Sequence, residues 1–208
     1  MKSTPSLTLS FFLLFTSNFL PSAFSRVPEK VLDSNGLPLS PSVEYYLSQL
    51  NGHSPQGGGV ELDFDGNSTC QVAVLQSYDK VFRGQGLRFS TEGRSSGAIL
   101  TDTPLEIKFD YQPYCASSSK WVVVGDDFPA KWVGIGDGAD HAGKKILSGK
   151  FMIKKHGEGY KFAFCSKINN HNTCFSIGRI DDHKGRRLVL MDHSHTNVPF
   201  SFALINIG

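Results

Sequence analysis

The chain has 208 residues, with 21 Lys+Arg against 19 Asp+Glu, a formal net charge of +2 and a charged fraction of 19%. So even a balance argues against a nucleic-acid-binding domain, and 16 phenylalanines within a 12% aromatic fraction argue against a disordered polyelectrolyte. The length suffices for a sizeable buried core, and 21 Gly with 10 Pro predict many turns.

Residues 1–25 read as a secretory signal. Lys2 gives a positive start, Leu7–Leu20 is mostly apolar, and Ala23-Phe24-Ser25 places small residues where a signal peptidase reads, so cleavage is expected before Arg26. A transmembrane anchor fits less well, because Thr16, Ser17 and Asn18 interrupt a run already too short for a bilayer of about 30 Å. Removing residues 1–25 takes away Lys2 and no acid, leaving 183 residues with 20 basic against 19 acidic side chains, a net of +1. No second apolar run of spanning length follows, so the mature protein is expected to be soluble, with no membrane partner.

Along the mature chain, short bursts of period-2 alternation recur between Gly, Pro, Asn and Asp. In order they are VEYYLSQL (43–50), VELDF (60–64), QVAVLQ (71–76), GLRFS (86–90), LEIKF (105–109), KWVVV (120–124), KWVGI (131–135), KFMIK (150–154), YKFAF (160–164), TCFSIG (173–178), RRLVLM (186–191) and PFSFALI (199–205). About a dozen strands with a turn signal roughly every ten residues predict an all-β sandwich or barrel. No window sustains the spacing of an amphipathic helix. NGHSPQGGG (51–59), STEGRSSG (90–97) and GDGADHAGKK (136–145) read as exposed loops, and one domain is expected over 26–208, since no composition shift marks a boundary.

Export permits disulfides, and cysteines fall at 70, 115, 165 and 174, which allow three pairings. The short ligand spacings of a zinc site are absent. Sequential pairing would close one long and one short loop, worth about 4 and about 3 kcal/mol respectively. Asn67-Ser68-Thr69 is a glycosylation sequon.

Rival chemistry is weakly signalled. His193 and His195 would share a strand face and His183 lies ten residues before His193, but no cysteine is near and exposed turn histidines are the simpler reading, so no metal is expected. The GIGDGADHAG stretch matches neither phosphate-loop fingerprint, and the GxSxG of a serine hydrolase is absent. Trp121, Trp132 and the phenylalanines are most simply core. No enzyme activity and no cofactor are expected.

The segment VLDSNGLPLSPSVEYYL (31–47) resembles the N-terminal signature of the plant Kunitz-type (soybean trypsin inhibitor) family, with Val31, Asp33, Gly36, Leu39, Tyr45 and Leu47 in the constrained places. TPLEIKFD (103–110) and IDDHKGRRLVL (180–190) resemble further blocks, so the resemblance covers essentially residues 27–205. It implies a β-trefoil of twelve strands with pseudo-threefold symmetry, and the sequential disulfides Cys70–Cys115 and Cys165–Cys174. It also implies a secreted or vacuolar monomer that inhibits trypsin- or chymotrypsin-type serine proteases, in plant defence or in control of endogenous proteolysis.

The inhibitory loop of such proteins lies between the fourth and fifth strands, and the register places the reactive bond at Arg94-Ser95, flanked by Gly93 and Ser96. An Arg side chain suits a protease pocket that holds a carboxylate, and a preorganised loop loses less entropy on binding. Arg83 and Arg88 fall within or beside strands and are weaker candidates. Where the family carries a buttressing Asn, four residues before the first Tyr of the signature, this chain has Pro41, with Ser40 and Ser42 beside it; Gly93 and Gly97 add freedom to the loop. These departures keep a second expectation in view: a non-inhibitory trefoil binding or storage protein with a degenerate loop.

Overall fold

The computed structural model describes residues 27–41, 43–50, 57–66, 68–91, 97–125, 131–182, 185–191 and 200–206. Each alternating run forms a strand: β1 (Tyr46–Gln49), β2 (Val60–Phe64), β3 (Gln71–Gln76), β4 (Leu87–Ser90), β5 (Glu106–Phe109), β6 (Trp121–Val124), β7 (Trp132–Ile135), β8 (Lys150–His156), β9 (Gly159–Ile168), β10 (His171–Asp182), β11 (Gly185–Leu190) and β12 (Ser201–Ile205). The one helical segment among the described residues is a 3-10 turn, Gly138–His141.

Six strands close into a barrel. β1 meets β4 at the Tyr45–Leu87 bridge, β4 pairs with β5, and β5 reaches β8 at Leu105–Phe151. β8 then pairs with β9, β9 with β12, and β12 with β1, completing the ring. The other six form three hairpins, β2–β3, β6–β7 and β10–β11. Their strands β3, β7 and β11 pair with one another, so the hairpins cap the barrel around a common centre. β10 runs further than TCFSIG predicts because one strand serves both parts: His171–Ser176 pairs with β9 in the barrel and Ile177–Asp182 with β11 in the cap.

The phenylalanines fill the barrel. The Phe162 ring lies 4.2 Å from Phe202, 5.4 Å from Trp121 and 6.3 Å from Phe89, centroid to centroid, and all four are buried. Truncating such a residue to Ala costs about 3–5 kcal/mol. A smaller cluster, Ala73, Leu75, Val124, Trp132 and Val189, lies where the hairpins meet. β3 is apolar on both faces for this reason: Val72 and Val74 belong to the main core while Ala73 and Leu75 belong to the small one.

The cysteines pair sequentially. Cys70–Cys115 ties the start of β3 to the β5–β6 loop across 45 positions, with Cα atoms 5.8 Å apart. Cys165–Cys174 joins directly opposed positions of β9 and β10 at a Cα separation of 4.0 Å.

Candidate functional site

The segment joining β4 to β5 leaves the barrel from two rigid stems. On one side Phe89 is fully buried and Ser90 pairs with Glu106. On the other, Ile99 is fully buried, and its N–H donates to Leu39 O at 3.0 Å while its carbonyl accepts from Val31 N at 2.9 Å. Leu39 N in turn donates to Val31 O at 2.9 Å, so the three backbones lock together. Two residues on, Thr101 N donates to Glu29 O at 2.8 Å and Glu29 N to the Thr101 hydroxyl at 2.9 Å. The N-terminal segment thus runs antiparallel to the second stem as an added strand.

The sequence around residue 36 explains how that segment holds its shape. The Asp33 carboxylate accepts from Asn35 N and Leu37 N, both at 2.9 Å, and Gly36 takes φ of 78°, a left-handed conformation that suits glycine. Val31, Leu39, Tyr45 and Leu47 are buried. All six residues of the 31–47 signature therefore build scaffold, and two of them, Val31 and Leu39, grip the loop stem. Ser40 N donates to the Tyr45 hydroxyl at 2.9 Å and Val43 N to Ser40 O at 3.2 Å, which fixes a turn containing Pro41 next to the stem.

Gly93, Arg94, Ser95 and Ser96 lie outside the described residues, as do Asn67, Ser42, His183, His193 and His195. Gly97 is exposed with φ of 130°. Arg88 is engaged elsewhere, its Nε 2.5 Å from Asp110 Oδ1. Arg83 is exposed, but its carbonyl packs so closely on Gly59 that a Cβ there would lie 1.9 Å from it.

Most of the 136–145 stretch is exposed, as its polarity suggests, but Gly136 and His141 are buried. Asp137 and Asp140 cap the 3-10 turn reciprocally, and His141 is 1% exposed, with its ring 5.4 Å from Trp132 and Nε2 2.8 Å from Ile135 O. Gly134 makes room for that ring, since a Cβ there would lie 2.9 Å from His141 Cε1. Burial pushes the imidazole below its ordinary pKa, against the raising effect of the bond to Ile135 and of Asp140 and Asp65. Burial would raise the Asp140 carboxyl, but hydrogen bonds from Ser117 and the Asp137 backbone outweigh it and hold the group low. Composition hid this histidine: its neighbours Gly, Asp and Ala signal a turn, and only the distant Trp132 and Gly134 show that the turn folds inward.

Among the described residues no cluster of three or more His, Cys, Asp or Glu is placed to hold a metal, and no helix is long and apolar enough to cross a membrane.

Comparison with known proteins agrees with this architecture. The Kunitz legume family model, described as trypsin and protease inhibitor, matches residues 31–203. The chain is 44% identical over 212 residues to a Kunitz-type trypsin inhibitor-like 1 protein of Pisum sativum, covering 99% of this chain and 96% of that one. It resembles the crystal structure of a Kunitz type trypsin inhibitor from Cicer arietinum with a TM-score of 0.78 and 42% identity, covering 86% of this chain and 99% of the other. Soybean trypsin inhibitor in its complex with porcine pancreatic trypsin matches with a TM-score of 0.71 and 28% identity, over 86% and 100% of the two chains. The closed barrel of six strands capped by three hairpins is accordingly a β-trefoil. The chain belongs to the Kunitz legume family of trypsin and protease inhibitors.

Proposed function

We propose that the protein inhibits a trypsin-type serine protease by offering the loop between β4 and β5 as a substrate-like segment, with Arg94 entering the primary pocket and Arg94-Ser95 as the reactive bond. The observation that carries this reading is the double anchoring of the loop, by Ser90 on β5 and by Ile99 between Leu39 and Val31. Such stems return the two ends of a cut loop to the same place, and a held segment gives up less entropy on binding. The soybean relative solved with trypsin supports the choice of partner. In this reading Arg94 forms a bidentate pair with a pocket carboxylate, while Gly93 and Ser96 shape the backbone around it.

The same proposal includes removal of residues 1–25, one domain over 26–208, export to the cell exterior or vacuole, action as a monomer and a glycan acceptor at Asn67. Its rival is a binding or storage protein that has lost inhibition, and the placement of Pro41 in the turn beside the stem favours that rival to the extent that a side-chain donor is needed there. Titrating the mature protein against trypsin, chymotrypsin and a papain-type protease separates the two. Stoichiometric inhibition of trypsin supports the proposal; inhibition of none of the three supports the rival.

A further inference from the structure

A groove of about 840 Å³ opens on the barrel beside the Cys165–Cys174 disulfide, sharing only Glu106 with the anchors of the β4–β5 loop. Its floor is apolar and aromatic, drawn from Leu105, Trp121, Phe151 and Phe164. Its rim carries Lys120, Lys150 and Lys167 against the single acid Glu106, a net charge of +2. The volume falls within the roughly 300–1,000 Å³ of small-molecule sites, which are likewise mostly apolar with a few polar groups.

A second observation comes from the floor itself. Trp121 is 2% exposed, and its indole Nε1 is buried with no hydrogen-bond partner among the described residues. That donor is shielded from the groove as it is from solvent, so the floor meets an occupant with carbon alone. The Trp132 indole is also unpaired among the described residues, but that residue does not line the groove. Gly149, at the groove wall, packs so tightly on Phe164 that a Cβ would lie 2.4 Å from its ring, so the wall is set by the backbone.

We propose that this groove binds an anionic amphiphile, a compound with an apolar body and a carboxylate or sulfonate head. The aromatic floor takes the body and the lysine rim selects the charge. A cationic amphiphile of equal length meets the same floor but the wrong rim.

The test uses the full mature chain labelled with 15N, the two indole N–H signals being told apart with Trp132→Phe, and dodecanoate below its micellar concentration as the probe. The expected result is a saturable shift of the Trp121 indole signal, and no saturable shift with dodecyltrimethylammonium. The double variant Lys150→Glu/Lys167→Glu turns the rim from +2 to −2 and is expected to weaken dodecanoate binding about tenfold or more. Both side chains sit on the rim, and unchanged backbone spectra elsewhere verify that the variant folds. Absence of a saturable shift, equal binding of the ammonium probe, or affinity unchanged in the double variant overturns the proposal.

Discussion

The Ile99 N–H donates to the Leu39 carbonyl oxygen across 3.0 Å, which joins the second stem of the β4–β5 loop to the N-terminal segment that carries the family signature. Sixty positions separate the two residues, yet both are fully buried. Whatever steadies the 31–47 segment therefore steadies the loop.

Asp33 is the residue that shapes this segment, through two backbone N–H groups at 2.9 Å. Asp33→Ala is expected to lower stability by about 1–2 kcal/mol, the usual loss for a local carboxylate cap. Urea denaturation of both proteins measures it. A loss within error of zero would show that Gly36 and the 33–37 backbone hold the turn unaided.

Pro41 sits in the turn fixed by Ser40 and Tyr45, next to the stem, and offers no donor to it. Pro41→Asn is expected to strengthen inhibition of trypsin by about tenfold, because a side-chain donor there would hold the loop more tightly before binding. The inhibition constants of the two proteins, compared at one pH and salt concentration, decide it.

His141 has a pKa below its ordinary value because it is buried, so the unfolded chain binds the extra proton first as pH falls. Stability from this group is complete above the unfolded value near 6.5, and is lost as pH drops from there toward the folded value. Asp140 acts in a separate window: its lowered carboxyl contributes stability above the unfolded value near 3.8 that disappears only as pH falls through the folded one. The charged groups acting on His141 are Asp140, Asp65 and Lys144, and Lys144 and Arg187 lie over the Trp132 ring it packs against, at 5.4 and 5.1 Å. The denaturation midpoint should therefore fall between pH 7.5 and 5.5 in the parent, and much less in His141→Gln measured against its own value at pH 7.5.

The disulfides close loops of different length, and their removal should cost accordingly. Replacing Cys70 and Cys115 by Ser is expected to cost about 4 kcal/mol, and replacing Cys165 and Cys174 about 3 kcal/mol. The second pair joins strands already paired along β9–β10, so its loss should leave the barrel assembled. Thermal unfolding of the two double variants checks the order.

Much of this fold is legible in the sequence. All twelve alternating runs become strands because each places apolar residues where a barrel or cap needs them, and the spacing of Gly, Asn and Asp marks where the chain turns. What is not legible is long-range. Nothing local to Ala73, Gly134 or Val189 shows that β3, β7 and β11 meet, since that contact arises only when three hairpins close over one barrel end. His141 is hidden for the same reason. The proposed reactive loop is the hardest case: in sequence Arg94 reads like any loop arginine, and what singles it out for the proposal is its register relative to stems that the sequence shows only as Phe89 and Ile99. The signature residues Asp33 and Gly36 identify the family, yet their chemistry is that of a turn.

Inhibition of trypsin by the Arg94→Ala variant, measured beside the parent protein, is the most direct test. The account predicts stoichiometric inhibition by the parent and a loss of roughly a hundredfold or more in the variant, as for a residue that dominates its interface. A parent that fails to inhibit trypsin, or a variant that inhibits equally well, would contradict it.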